Sequence, residues 1–209
     1  MPFTKLGQSA WDRNLETFAK LLNEGADVDE KDEYGNLAIN LAVAQGQMAM
    51  VLKLIENEAS FEPGTLLNVA VYHGCLEMTE FLIYKGADQI ANEKTGETTL
   101  HSAICKMGRP DDTAIVDVLI KAGANPNVKT KPGIDTGAFM RDIRTRAETA
   151  LHRAAAFGDE QMIQILLDAG ADKTIKDING DSPLTWASWH LRPIDILHLL
   201  CYDDFKVRY

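Results

Sequence analysis

The sequence predicts an all-α protein in which short helix–turn–helix units recur along the chain and stack into a solenoid. Two observations carry this prediction. Similar segments recur at regular intervals, and each segment has the caps and the apolar spacing typical of two short helices. The copies start near residues 4, 37, 65, 98, 149 and 182, so successive starts lie 33, 28, 33, 51 and 33 residues apart. Because a unit this short cannot bury its apolar face alone, neighbouring units must stack.

The first helix of each unit is indicated by the residues at its two ends. Most copies begin with a hydroxyl residue that can cap this helix through its side chain. The caps that we predict are Thr65, Thr98, Thr149 and Ser182. Pro183 stands at the first helical position of the last copy, where its missing N–H costs nothing. The glycines that suit the turn after the first helix are Gly46, Gly74 and Gly158.

The second helix of each unit is indicated by apolar residues three and four positions apart. In the fifth copy these residues form one buried stripe, which consists of Met162, Ile163, Leu166 and Leu167. A glycine then supplies the left-handed residue that ends the helix. The glycines at this position are Gly25, Gly86, Gly123 and Gly170.

The fifth copy, TALHRAAAFGDEQMIQILLDAGAD from Thr149 to Asp172, matches the pattern T-P-L-H-x-A-A-x-x-G followed by L-L-x-x-G-A. This pattern at a period of 33 resembles the ankyrin repeat. The resemblance covers nearly the whole chain, as one domain of six copies near 4–36, 37–64, 65–97, 98–128, 149–181 and 182–209. It implies an ankyrin-repeat solenoid in which the hairpin tips and the outward positions of the first helices line one concave face.

The junction between the second and third copies departs from this pattern. Leu37 replaces the capping Thr of the second copy, and Glu58 replaces the glycine that ends it. A non-glycine residue in the left-handed region costs about 1–2 kcal/mol. The following linker, Ser60–Gly64, is also short. We therefore expect this junction to be the weakest in the stack.

Two other segments are longer than the pattern requires. Extra residues around Gly108–Asp112 lengthen the turn between the two helices of the fourth copy. The segment 129–146, KTKPGIDTGAFMRDIRTR, is an insertion that begins as a loop and carries five basic against two acidic residues. Loops of this length are either functional or disordered. Because loop length changes closure entropy slowly, we expect the insertion to be dispensable for folding.

Composition and charge exclude several classes of protein. With 21 basic and 31 acidic residues, the formal net charge is −10, whereas a surface that wraps nucleic acid or anionic membrane must be basic. No apolar run is long enough to span a bilayer, and Asp12, Arg13 and Glu16 interrupt any signal-peptide core. Three scattered cysteines form no disulfide framework. These features predict a monomeric cytoplasmic protein that binds neither nucleic acid nor membrane.

The sequence contains no arrangement of residues that predicts catalysis, a metal site or a cofactor. His101 and His152 occupy the His of the repeat motif, and the resemblance implies that each ring bonds near the capping Thr and a neighbouring loop. His73, Cys75 and Cys105 do not have the spacing of zinc ligands. Gly133–Gly137 lacks the sequence of a phosphate-binding loop. We therefore predict no enzyme activity.

The candidate binding residues follow from the repeat register. The outward pairs lie seven and eight residues after each cap, and four of the six pairs contain a large aromatic residue. The larger members are Trp11, Tyr72, His73, Lys106, Phe157, Trp189 and His190, and the pair that contains Lys106 also contains Cys105. Tyr34 and Lys94 mark two hairpin tips, and Arg141 and Arg144 in the insertion supply a second contact. For Trp11 and Trp189, two interpretations stay open: they cover the ends of the stack or they bind a partner.

The function predicted from these observations is a non-catalytic protein–protein interaction module that binds another protein through its concave face. Two alternatives remain at this stage. The first is an enzyme or regulator whose activity lies in segment 129–146, and the second is a structural spacer in a larger assembly. The sequence does not identify the partner.

Overall fold

The computed structural model describes residues 3–89, 91–106, 108–136 and 144–202. These ranges contain α-helices and a single isolated β-bridge, between Asp135 and Arg144. The helices are α1 Lys5–Trp11, α2 Leu15–Asn23, α3 Ala38–Ala44, α4 Met48–Glu56, α5 Pro63–His73, α6 Leu76–Tyr84, α7 Thr99–Ala103, α8 Asp112–Lys121, α9 Ala150–Phe157, α10 Glu160–Asp168, α11 Pro183–Trp189 and α12 Ile194–Leu200. The prediction of an all-α protein built from helix pairs is confirmed.

The chain divides into two compact units. Unit 1 is Met1–Asp88 and contains α1 to α6, whereas unit 2 is Gln89–Tyr209 and contains α7 to α12. Each unit has an apolar core of its own. In unit 1 this core includes the fully buried Phe18, Ile39 and Leu67, and in unit 2 it includes Leu100 and Ile163.

Most first helices begin where the sequence predicts. Thr4 and Ser182 cap α1 and α11 through their side chains, and Thr98 and Thr149 immediately precede α7 and α9. The prediction for Thr65 is wrong. A cap at Thr65 would start helix α5 at Leu66, but the helix starts three residues earlier, at Pro63, because proline at the first helical position favours the helical φ there. Thr65 therefore lies inside the helix.

The helix ends confirm the roles predicted for most of the glycines. Gly25, Gly86, Gly123 and Gly170 follow second helices and have φ between 81° and 92°. Glu58 takes the same position in the second copy with a φ of 61°, as predicted. Gly158 differs, because its φ of −70° is ordinary for any residue. It is needed for close packing instead, since an added Cβ would lie 2.9 Å from the Ala154 carbonyl oxygen and from Met162 Sδ.

The linkers between successive helix pairs fall into three lengths. Three of them, at 24–37, 85–98 and 169–182, are fourteen residues long, and each contains a tight hairpin turn. The linker between α4 and α5 spans only residues 57–62. The linker between α8 and α9 spans residues 122–149, twice the common length. The predicted short junction and long insertion are therefore departures from one regular linker.

The base of the long linker is a hydrogen-bonded hairpin. The Gly133 N–H donates to the Thr145 carbonyl at 2.7 Å, and the Thr145 N–H donates to the Ile134 carbonyl at 3.0 Å. The Lys131 N–H also donates to the Thr95 carbonyl, at 2.7 Å. Residues 137–143, which include the predicted contact Arg141, lie outside the described ranges.

The fourth helix pair contains the long turn that the sequence predicts, but one of its residues is placed differently. Helix α7 ends at Ala103, and the chain then turns before α8 starts at Asp112. Cys105, expected on an outward position, is only 1% exposed. Because α7 stops early, Cys105 lies beyond the helix and turns into the core, where burial raises the pKa of its thiol.

Candidate protein-binding surfaces

Aromatic residues stand at the ends of four of the six first helices. Trp11 is the last residue of α1 and is 39% exposed, and Trp189 is the last residue of α11 and is 56% exposed. Phe157 ends α9, and Tyr72 is followed by His73 at the end of α5. The two inner rings, Tyr72 and Phe157, are half-buried. The outward positions of the repeat register therefore coincide with the ends of these four helices, and their role in binding stays a prediction.

Several of these rings contact a neighbouring ring. Phe157 meets His190 edge-on, with ring centroids 4.5 Å apart, and Tyr72 meets His73 at 5.2 Å. Trp11 packs against Phe3 at 5.6 Å. Such pairs hold aromatic side chains in place at the surface. When a partner binds them, these side chains therefore lose little conformational entropy.

The other predicted contacts within the described residues are mostly exposed. Tyr34 is 71% exposed, and Lys94 is also exposed, whereas Lys106 is half-buried. Arg144 is exposed and forms an ion pair with Asp135, with Nε and Oδ1 3.1 Å apart. An exposed pair of this kind contributes little to stability, so it leaves Arg144 able to exchange partners.

Unit 1 contains a cleft of about 880 Å³ that the sequence did not reveal. Its walls are formed by α1, α3 and α5 together with the linkers 24–37 and 57–62. Two predicted contact residues, Trp11 and His73, line it. The apolar side chains around it are Phe3, Trp11, Leu37, Leu41, Ala44, Phe61, Leu66 and Val69.

The short linker explains this cleft. Residues 57–62 are too few to form the hairpin that the fourteen-residue linkers contain, so no hairpin covers the faces of α3 and α5 that line the cleft. The linker is held by Asp29, which accepts from the Ser60 N–H at 2.8 Å and from the Ser60 hydroxyl at 2.9 Å. The signal for the cleft was therefore present in the 28-residue spacing.

The edge of the cleft is acidic. Between Asp27 and Glu33 the chain carries five carboxylates and one lysine, and Glu62 lies exposed on the short linker. Unit 1 as a whole has 6 basic and 14 acidic residues, so its net charge is 6 − 14 = −8. Unit 2 has 15 basic and 17 acidic residues, so its net charge is 15 − 17 = −2. Most of the negative charge of the chain therefore lies in unit 1.

Unit 2 contains a buried ionic cluster that sequence reasoning missed. The Arg153 side chain is fully buried, and its Nη2 lies 2.7 Å from Glu97 Oε1 and 2.6 Å from Glu148 Oε1. Its Nη1 donates to the His101 carbonyl at 3.0 Å, and the Thr130 hydroxyl donates to Glu148 at 2.6 Å. Burial alone raises the pKa of Glu148, but the Arg153 charge and the Thr130 donor outweigh it and lower this pKa to about 2.

The motif histidines have the structural role implied by the repeat. The Thr98 N–H donates to His101 Nδ1 at 3.1 Å, so this nitrogen is an acceptor and the Thr98 hydroxyl, 2.9 Å away, donates to it as well. The proton is then on Nε2, which faces the Glu148 carbonyl at 3.3 Å. The corresponding partners of His152 are Thr149 and the Asp181 carbonyl. Burial lowers the pKa of His101 to about 3 and that of His152 to about 4, so both rings are neutral at pH 7.

Two features are absent from the described part of the chain, a metal-binding cluster and a membrane span. No group of three or more His, Cys, Asp or Glu side chains in those ranges is arranged to hold a metal ion. Within the same ranges, no helix combines the length and apolar character needed to cross a membrane.

Comparison with known proteins connects this geometry to a family. The family model of ankyrin repeats matches three times, at residues 6–93, 63–130 and 133–209. The chain is 29% identical over 187 residues to the B-cell lymphoma 3 protein homolog of Mus musculus, which covers 85% of this chain and 38% of that protein. It is 31% identical over 174 residues to protein PhlB of Serratia liquefaciens, which covers 81% of this chain and 69% of PhlB.

A solved structure shows the same fold. One chain in the complex of the predatory endopeptidase Bd0816 from Bdellovibrio bacteriovorus with immunity protein Bd3460 superposes with a TM-score of 0.69 at 22% identity. The match covers 96% of this chain and 98% of that one. The chain described here belongs to the ankyrin-repeat family, and its fold is the all-α ankyrin-repeat solenoid.

Proposed function

We propose that this chain is a non-catalytic interaction module that binds a partner protein through the ends of its first helices. The observation that carries the proposal is the aromatic residue at the end of four of these six helices. Ankyrin repeats are in general protein–protein interaction modules, and the family is generally non-catalytic.

The placement of the aromatic side chains supports binding over a purely structural role. Trp11 and Trp189 are 39% and 56% exposed, although large apolar side chains normally avoid water. Aromatic residues are enriched among the few interface residues that carry most of a binding free energy. The half-buried Tyr72 and Phe157 lie at inner copies, where covering the end of a stack does not explain them.

The comparisons add support for a protein partner. A chain of the same fold occurs in a complex between an endopeptidase and an immunity protein. The chain spans 38% of the length of the B-cell lymphoma 3 homolog and 69% of PhlB, so any role taken from a whole relative is itself a proposal. The cytoplasmic setting, the monomeric state and the absence of nucleic-acid binding also stay predictions.

The test is capture of the native partner by immobilised wild-type chain and by a Tyr72→Ala/Phe157→Ala variant. Removing a true hot-spot aromatic costs about 2 kcal/mol of binding or more, so we expect the double variant to lose at least about thirtyfold in affinity. Tyr84→Ala is the matched control, because Tyr84 is 85% exposed but ends the second helix α6. Melting curves of all three proteins check that they fold.

Two outcomes would overturn the proposal. Undiminished capture by a folded double variant would move the binding surface to the second helices, the insertion or the chain ends. Turnover of a substrate in the absence of any partner, lost when residues 129–146 are replaced, would instead support the enzyme alternative.

A further inference from the structure

We propose that the cleft of unit 1 binds an extended segment of the partner that carries Arg or Lys beside a large apolar side chain. The inference rests on the proposed function, since it names the chemistry of the partner. It also rests on the walls and the edge of the cleft, which Trp11 and His73 line but Tyr72 and Phe157 do not.

The size and walls of the cleft fit an apolar side chain and its neighbours. At about 880 Å³ it lies within the range of about 300–1,000 Å³ typical of binding pockets. Leu41 and Leu66 form part of its buried wall, and Trp11 and Phe61 offer aromatic surface. Burial of apolar surface contributes about 25 cal/mol per Å², so an apolar side chain of the partner gains most by entering here.

The cleft is also held open before any partner arrives. Phe3 and Trp11 support each other with ring centroids 5.6 Å apart. The short linker is fixed by two hydrogen bonds from Ser60 to Asp29, and Leu37, which lines the cleft, is fixed by its N–H bond to the Asn40 side chain at 3.0 Å. A preformed site avoids part of the ordering cost of binding.

The charge around the cleft selects a basic segment. Among the described lining residues, Lys31 is the only Lys or Arg, and Asp29 lines the cleft beside it. Glu30 and Glu33 are near Lys31 in the sequence but are not among the lining residues. Glu62 adds a carboxylate from the short linker. Arg or Lys next to the anchoring side chain would meet these carboxylates, and the exposed face of Trp11 also attracts cations.

The same charges disfavour other occupants. A second copy of this chain would bring a net charge of −10 toward unit 1, whose own charge is −8. Like charges facing each other across an interface suppress association. A small neutral molecule would fill the apolar part but gain nothing from the acidic edge. The combination of apolar walls and acidic edge therefore favours a basic peptide segment.

The experiment is selection of random twelve-residue peptides displayed on phage against the full chain, followed by affinity measurements with the synthetic winners. We expect the enriched peptides to contain Arg or Lys adjacent to Leu, Ile, Met, Phe or Trp. Two variants alter the cleft itself. Thr65→Trp fills it from an exposed position of α5, and Trp11→Ala removes one wall, so each should weaken binding at least tenfold.

Matched variants separate the cleft from the rest of unit 1. Leu52→Trp introduces the same side chain on α4, outside the cleft, and should leave affinity unchanged. Glu30→Gln/Glu62→Gln should reduce affinity severalfold at low salt and flatten its salt dependence. Glu56→Gln/Glu77→Gln neutralises two exposed carboxylates elsewhere in unit 1 and should change little.

The inference fails if no peptide is enriched, if the enriched peptides lack basic residues, or if the winners bind Thr65→Trp as tightly as wild type. A small molecule that occupies the cleft would displace the peptide when it is added. A second copy of the chain that occupies the cleft would displace the peptide at high chain concentration. Either result would also overturn the inference. The Tyr72→Ala/Phe157→Ala capture test reports on the proposed function separately, so the two can fail independently.

Discussion

The short linker of unit 1 and the long linker of unit 2 change the same repeat in opposite ways. Residues 57–62 leave the faces of α3 and α5 without a covering hairpin, and a cleft lies there. Residues 122–149 instead bring Thr130 and Glu148 into a buried cluster around Arg153. A change in linker length can therefore leave a cleft open or add residues to the core.

The two units also differ in net charge. Unit 1 carries −8 and an acidic edge around its cleft, whereas unit 2 carries −2 and pairs Glu97 and Glu148 with the buried Arg153. We therefore expect substitutions in the unit 2 cluster to change stability, and substitutions around the unit 1 cleft to change binding.

The largest expected effect is from Arg153→Met. This change leaves Glu97 and Glu148 without their buried cation, and breaking a buried ion pair typically costs about 3–5 kcal/mol. Asp29→Ala is the comparison in unit 1. It removes two hydrogen bonds to Ser60 at the surface and should cost about 1 kcal/mol. Urea unfolding measures both, and equal losses would contradict the contrast between the two linkers.

The second effect concerns the insertion. Replacing residues 129–146 so that the linker has the regular length of fourteen residues removes Thr130, which is 3% exposed, and its hydrogen bond to Glu148. We expect a loss of about 1–3 kcal/mol, the cost of a buried acceptor without its donor. This differs from the sequence prediction that the insertion is dispensable. An unchanged thermal midpoint after the swap would restore that prediction.

The third effect is a dependence of stability on pH. The folded-state pKa values of His101 and His152 lie near 3 and 4, below the ordinary 6.5. Between the folded-state pKa and 6.5, the unfolded chain therefore binds more protons than the folded chain. The contribution of each histidine to stability is complete above pH 6.5 and falls as the pH drops, by up to about 1.4 kcal/mol per pH unit. Glu148 adds a further loss between pH 4.5 and about 2.

Urea unfolding at pH 7 and pH 5 measures this dependence. His152→Asn is the control, since a side chain without a proton to gain should reduce the slope. A slope as steep as that of the wild type would show that other groups cause it.

The smallest effect tests the short junction of unit 1. Glu58 has a φ of 61°, so Glu58→Gly should stabilise the chain by about 1 kcal/mol. Gly25→Ala is the reverse experiment at a regular helix end, where φ is 81° and nothing lies within 4 Å of an added Cβ. It should destabilise by a similar amount. Thermal midpoints of both variants decide whether backbone strain weakens this junction.

Much of the fold could be predicted because its signals are local. Helix caps such as Ser182, helix ends such as Gly170 and the linker lengths are all read within one repeat. The Arg153 cluster could not be predicted, because Glu97 lies 56 residues away in the sequence and nothing local indicates the pairing. Cys105 was misplaced because the register was extended past the actual end of α7.

The candidate site was predicted only in part. The helix-end aromatics follow from the repeat register, so Trp11, Phe157 and Trp189 were found. The cleft lies where a hairpin is missing, and a missing hairpin leaves no motif in the sequence from which the cleft could be predicted. The short spacing indicated an irregular junction, but its interpretation as a weak joint did not include a cavity.

Hydrogen–deuterium exchange of the chain with and without its captured partner tests the central claim most directly. We expect slower exchange at the ends of the first helices, in segments 8–13, 69–74, 154–158 and 186–191, and along the short linker 57–62. Exchange in the second helices α4, α6, α8 and α10 should stay as it is in the free chain. Protection confined to those second helices, with the first-helix ends exchanging at their free rates, would contradict binding through the first helices.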